Sequence, residues 1–448
     1  MTDRLQSLTS ALLAAAAKAG ATAADAIALD GTSISIDVRQ GRLEQAERAE
    51  GVEIGLRVLV GQRQACTSAS DISERTISEM AERAVAMARE APADPSLGLA
   101  DSADLAADRE SDWLELADPS PDPAAAALEA DAREAEAAAL GVKGISQVDS
   151  ASASFARRRL FMAASNGFSG GYSRTSRSIS AVAITGEGLS MERDWASESR
   201  IWQADLPDAA EVGRQAGERT MQRAGARKPK TGATPVLFDE RISGSLVSHL
   251  LSAVNGTAIV RGASWLRDGL GQQVLPAGIS LLEDPHRPRQ PGSRPFDAEG
   301  LATHPRAIVA DGILTGWTLD LGTARQLGLR STANAMRGVS SPPAPGNGNI
   351  SLTEGSKSRA ELMADMGTGL LVTGFLGASI NATTGDYSRG VSGFWVEGGQ
   401  IAYPVNECTI AGNLREMLLG LIPANDARRH LTHVVPSLLV EGLTLAGV

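Results

Sequence analysis

The change of texture near Pro235 constrains the fold of this chain more than any other feature. Beyond it glycine is dense, and short runs such as "AIVADGILTGWTLDL", "GLLVTGFLG" and "SGFWVEGGQIAYPV" are separated by turn pairs such as Asp311-Gly312 and Gly398-Gly399. Short apolar runs punctuated in this way predict a mainly antiparallel barrel or sandwich. No unit of 20–50 residues repeats, which disfavours a solenoid or propeller.

The first half is patterned differently. Leu5, Leu8 and Leu12 mark an amphipathic opening helix; its Asp3 and its short apolar run, interrupted by polar residues, make a poor signal peptide. Ile34, Ile36 and Val38, then Ile54, Leu56, Val58 and Val60, alternate with period two, as strands with one wet face do. From Ser73 the spacing becomes helical through Ile77, Met80, Ala81, Ala84 and Ala88, with Asp71 or Ser73 as N-cap. Residues 91–123, ending in "DPSPDP", read as a stop and linker before an alanine-rich helix at 124–140. Two strands meeting at Asn166-Gly167, a polar helix around 208–224 and the basic connection "GARKPKTGA" complete this half. At 448 residues the chain exceeds the size at which single cores stop growing. The expectation is an α+β fold: an N-terminal α+β domain over residues 1–225 and a glycine-rich, mainly antiparallel β-barrel-like C-terminal domain over 226–448.

Charge and cysteine usage narrow the function. A formal charge of −11 opposes a nucleic-acid footprint, which needs clustered Lys and Arg. Cys66 and Cys408 are the only cysteines and lie far apart, so a disulfide framework is excluded and a reducing compartment fits. No window reaches the roughly 18 apolar residues of a membrane span. The expected compartment is the cytoplasm, with no membrane partner. The phosphate loop GxxxxGK[ST] and the dinucleotide fingerprint GxGxxG after a strand are absent.

The histidines deserve a chemical test. A zinc-peptidase helix needs two histidines one turn apart and a glutamate beside the first, to bind the metal and deprotonate its water. In "GSLVSHLLSAVNG" His249 stands alone, with Gly244 five residues before it and Ser245 where the glutamate would be. His430 and His433 are three apart and would share a face if helical, but no cysteine or carboxylate cluster accompanies them. Cys408 has no histidine in its segment and reads as a buried thiol. Asp284, Asp297, Glu299, Asp320, Asp386 and Glu407 are candidate acid–base groups that sequence cannot pair.

Four strings are poorly explained by packing: "PFDAEG" (Pro295–Gly300), "ARQLGLRSTANAMR" (Ala324–Arg337), "TGDYSRGVSGFWVEGG" (Thr384–Gly399) and "YPVNECTIAGNL" (Tyr403–Leu414). In this order they resemble the PmbA (TldE) branch of the TldD/PmbA family, peptidase family U62, historically "modulator of DNA gyrase". The resemblance implies an α+β domain followed by a barrel-like domain. It also implies that a TldD-like paralogue carries HExxxH and a C-terminal cysteine, which together hold zinc. At the matching positions Gly244, Ser245 and His249 form a degenerate motif, and "LIPANDARRH" lacks the cysteine.

On this resemblance the chain holds no metal or cofactor of its own. It would pair with the zinc-bearing paralogue, or with itself when alone, and help to hold unfolded peptides such as antibiotic precursors or antitoxins. Loops shaping that chamber would present Asn381, Thr384, Gly385, Asp386, Tyr387, Ser388, Tyr403, Glu407 and Asn413. Two other readings stand beside it: an autonomous metallopeptidase using His249 with His430 or His433, and a non-proteolytic binding protein acting on a topoisomerase or toxin.

Overall fold

The structure is a computed structural model that describes residues 2–447. Its first half is built on one antiparallel sheet of six strands: β1 (Ala23–Arg39), β2 (Arg42–Val60), β3 (Arg63–Ala69), β4 (Ile145–Ala164), β5 (Ser169–Thr185) and β6 (Glu192–Arg200). They lie in the order β3-β2-β1-β4-β5-β6. Two helix pairs cover one face. α1 (Thr2–Ala19) and α2 (Glu74–Glu90) bury Leu5, Leu12, Met80 and Ala84 against Ala26, Ile54, Leu56 and Phe161. α3 (Ala125–Leu140) and α4 (Ala209–Gln222) bury Leu128, Ala132 and Val212 against Ile34, Ile36, Ala153 and Ala181. Ser73 is the N-cap of α2, its side chain accepting from the Thr76 amide.

The expected wet face of this sheet is in part dry. Alternation sends Phe161 and Ala163 to the helices and Leu160 and Met162 to the opposite side. There Ile27, Met162, Phe168 and Tyr172 meet Phe296 and Ala298 of the second half, with Phe168 edge-on to Phe296 at 5.0 Å between centroids. Nor is 91–123 a loose linker. Leu114 and Leu116 are buried, the Ala106 amide donates to Gly300 O at 2.9 Å, and Leu114 O accepts from the Arg289 amide at 2.8 Å. The segment is a strap fixed to both halves.

The second half contains a closed five-stranded barrel. β7 (Gly232–Phe238) pairs in parallel with β8 (Gly369–Ile380), which continues as an antiparallel meander through β9 (Asp386–Glu397) and β10 (Gln400–Asn413). The last strand, β11 (Leu438–Ala446), pairs with both β10 and β7 and closes the ring. Val236, Leu237 and Phe238 are all fully buried because both faces of β7 are covered. α5 (Glu240–Ala253) covers one side, and the helix Arg359–Met366 brings Leu362 and Met366 to the other. A smaller five-stranded sheet, including Leu281–Glu283 and Arg306–Ala310, sits beside the barrel. No described helix is long and apolar enough to cross a membrane.

Candidate functional site

α5 starts immediately after β7, with Asp239 as its N-cap accepting from the Arg241 amide. Its i, i+4 spacing puts Ser245 and His249 on one face. On β9 the period of two does the same for Tyr387 and Arg389. The two faces meet: the His249 ring lies edge-on to Tyr387 at 5.9 Å between centroids. Among the described residues Ser245 Oγ, His249 Nε2 and Arg389 Nε are buried without a hydrogen-bond partner, and the buried Tyr387 hydroxyl has only the Arg389 guanidinium beside it. Burial, then the Arg389 charge, pulls the His249 imidazole below its ordinary range, so it is neutral at pH 7. Burial pushes the Tyr387 phenol up to about 12 against the pull of Arg389. Arg389 itself lies over the Phe375 ring at 3.8 Å. The group offers hydrogen bonds and one fixed positive charge, and no nucleophile activated by a neighbouring base.

These residues do not fit zinc. Gly244 supplies no ligand, although a side chain there would meet nothing within 4 Å. Ser245 is a poor donor to zinc, and Arg389 repels a dication from the one imidazole present. Among the described residues no group of three or more His, Cys, Asp or Glu side chains is placed to hold a metal ion. His430 and His433 do not share a helix: His433 begins the short strand His433–Val434, and His430 faces Glu198 at 3.4 Å. Proline and turn residues around them break the helical reading. Cys408 is buried, its Sγ 3.5 Å from Val391 O, and burial pushes the thiol up to about 11.

The remaining candidate residues scatter. Asn381 Oδ1 accepts from the Thr383 and Thr384 amides, and Thr384 Oγ1 donates to Asp386 at 2.6 Å. Asn413 Nδ2 donates to Thr384 O and to Asp386, while its Oδ1 caps the helix Leu414–Leu419. Gly385 needs its positive φ of 83° in this turn. These five residues therefore spend their hydrogen bonds within the β8–β9 turn and on the helix cap beside it. Ser388 points to the opposite face of β9 from Tyr387. Tyr403 stacks with Trp395 and lies under Arg227, 3.6 Å from guanidinium to ring centre. Glu407 is exposed beside Lys228 at 3.1 Å. Of the proposed chamber residues, only Tyr387 joins the His249 group.

What sequence could not pair is a buried acid–base joint between the halves. Asp25 of β1 accepts from Arg57 Nε of β2 at 2.5 Å and from Arg337 of the second half. Nearby, Asp297 takes backbone N–H bonds from Glu299, Leu301 and Ala335, whereas Glu299 takes one, from Leu321 at 2.8 Å. Burial raises both carboxyls, and Asp297 and Asp320 raise Glu299 further, up to about 8. With three donors Asp297 holds the negative charge, and Glu299 holds the proton. The strings "PFDAEG" and "ARQLGLRSTANAMR" supply this joint, which is why packing periodicity did not explain them.

Comparison with known proteins agrees along most of the chain. Three family models match: PmbA/TldA metallopeptidase domain 1 at residues 24–88, the central domain at 116–224 and the C-terminal domain at 231–447. Metalloprotease PmbA of Escherichia coli O157:H7 is 36% identical over 418 residues, covering 93% of this chain and 90% of that protein. The Metalloprotease PmbA homolog of Haemophilus influenzae is 34% identical over 435 residues, covering 96% and 94%. Among solved structures, a candidate modulator of DNA gyrase from Bacteroides thetaiotaomicron superposes with a TM-score of 0.91 at 27% identity, covering 100% of this chain and 99% of that one. TldE of Thermococcus kodakarensis shares the fold, with a TM-score of 0.84 at 18% identity, covering 98% and 100%.

Proposed function

Because this chain belongs to the PmbA/TldD metallopeptidase family, we propose that it is the non-catalytic subunit of a zinc-dependent peptidase. A TldD-like paralogue supplies the metal and the general base. One observation carries the reading: the α5 position that a zinc motif would occupy holds Gly244, Ser245 and His249, and a cationic guanidinium faces the single imidazole.

What stands in place of a metal centre is a buried polar group with a fixed positive charge. Neutral His249 can accept a hydrogen bond at Nε2, Ser245 and Arg389 can donate, and among the described residues these three atoms have no partner. They lie inside the protein, so an unfolded peptide would be held by backbone hydrogen bonds at an exposed sheet edge, which do not read its sequence. The chain would complete the chamber and hold the substrate in an extended form, in the cytoplasm, while water activated on the paralogue's zinc cleaves it.

The test is elemental analysis of the chain purified alone without a metal-binding tag, followed by peptide hydrolysis with and without a TldD-like protein. Zinc well below one equivalent and hydrolysis only in the mixture are expected. About one tightly held equivalent, or hydrolysis by the chain alone that His249→Ala abolishes, overturns the proposal.

A further inference from the structure

The outer edge of β5 is only partly covered. β5 pairs with β4 from Ser169 to Thr185, but β6 joins its other side only from Arg177 onward. Before Arg177 that outer side is held at two points: the Thr175 amide donates to Leu116 O of the strap at 3.0 Å, and Ser169 O accepts from Arg109 Nη1 at 2.9 Å. Alternation along the strand turns the N–H and C=O of Gly171 and Ser173 to the same side as those of Thr175. Among the described residues, nothing pairs with either of them there. The edge can be reached: Gly171 is only half-buried, and because it has no side chain, what it exposes is main chain.

A cavity of about 460 Å³ lies against this opening, lined by Gly171, Tyr172 and Ser173 on one side and by the strap, including Leu116 and Ala117, on the other. Leu5 and Phe161 line it from the helix face of the sheet, and Trp202 lines it just past the end of β6. Two charged groups of the lining are already matched, Arg159 to Asp30 at 2.8 Å and Glu115 to Arg289 at 2.6 Å. The unmet need is therefore main-chain hydrogen bonding beside apolar walls, which an extended peptide supplies. A strand residue takes about 3.4 Å along its axis, 4.8 Å across and 10 Å through the sheet, so the volume holds about three residues.

The same sheet has a longer free edge that is built differently. β3 pairs with β2 only over Ile54–Val60, which leaves the preceding part of β2 uncovered on that side. That part carries Arg42, Glu44, Glu47, Arg48 and Glu50, and its register with β1 is broken by a bulge opposite Asp37 and Val38. Charges and bulges are the devices by which sheets turn other strands away. The β5 opening has neither.

We propose that this opening is a subsite for an extended peptide, which adds to the edge of β5 at Gly171 and Ser173 beneath the strap and sets alternate side chains against Leu5 and Phe161 on one face and Tyr172 on the other. That the occupant is a substrate rests on the peptide-handling reading above; the unpaired edge and its cavity do not.

The test is calorimetric titration of the full chain with acetyl-Thr-Val-Thr-Val-Thr-amide and with the same peptide N-methylated across Val-Thr-Val, which keeps the side chains and removes the donors. The first binds, the second binds at least about tenfold more weakly, and amide hydrogen exchange slows at Gly171 and Ser173 when the first is saturating. Ser173→Pro removes one outward donor and spares the ladder to β4, and Ala117→Trp fills the cavity from the strap. Each weakens binding at least about tenfold, with urea midpoints showing that it folds. No binding at millimolar concentration, equal binding of the methylated peptide, protection along Arg42–Gly51 in place of Gly171 and Ser173, or unchanged binding by the folded variants overturns the proposal. Paralogue-dependent hydrolysis is scored separately, so binding without it keeps the subsite and removes the division of labour.

Discussion

Glu299→Gln should stabilise this protein, and increasingly so as the pH rises. Glu299 is buried between the halves, takes a single N–H bond from Leu321 at 2.8 Å, and faces Asp297 and Asp320, with Arg57 the opposing charge. Burial and the two carboxylates raise it from an ordinary 4.5 to about 8. Its stabilising contribution is then fully present below about 4.5 and is lost as the pH rises toward about 8. Within that window the native chain holds a proton that the unfolded chain has released, so each pH unit removes about 1.4 kcal/mol. From pH 5.5 to 7.5 the loss is on the order of 2–3 kcal/mol, shared with Asp297, whose raised carboxyl titrates in the same window. Glutamine copies the protonated acid and still accepts from the Leu321 amide. Urea unfolding at half-unit pH steps should show the two proteins diverging by that amount over the window, with unchanged m-values. Parallel curves would mean that Glu299 is ionised in the native state, and the account of the joint would be wrong.

Three further outcomes follow from the same geometry. Asp25→Ala strands Arg57 and Arg337 without their shared anion and should cost about 3–5 kcal/mol in urea unfolding; a loss below about 1 kcal/mol would show that the joint does not hold the halves together. Tyr387→Phe removes a buried hydroxyl whose one neighbour is the Arg389 guanidinium, so stability should change by no more than about 1 kcal/mol, and a larger loss would show that this contact is a well-formed hydrogen bond. Cys408, raised to about 11 and buried in the barrel wall, should resist a thiol-specific reagent at pH 7.5 until the protein unfolds, and rapid native labelling would contradict its burial.

The sequence legibly encoded whatever depends on local spacing. The 3.6-residue pattern at Ile77, Met80, Ala84 and Ala88 gave α2 with Ser73 at its cap, and the alternation at Ile34, Ile36 and Val38 gave the helix-facing side of β1. Glycine-punctuated runs announced the barrel, and the lone His249, with Gly244 and Ser245 before it, showed that its helix lacks the second histidine and the glutamate of a zinc-peptidase helix. Period-two alternation could not show that the other face of the first sheet is also covered, because Phe296 and Ala298, which cover it, come from more than 100 residues away.

The same separation hid both polar groups. Ser245 and His249 meet Tyr387 and Arg389 only because β7 pairs with β8 and carries α5 across the barrel. Arg57 and Arg337 look like ordinary surface arginines in the sequence, and Asp297 and Glu299 like turn residues. Folding brings them into one low-dielectric joint, where a missing partner or an extra proton acquires a cost that it would not have in water. Sequence therefore determined the elements and the missing motif residues, whereas tertiary structure decided which polar groups are buried together, because burial and charge coupling depend on distances that only the closed barrel and the joined halves set.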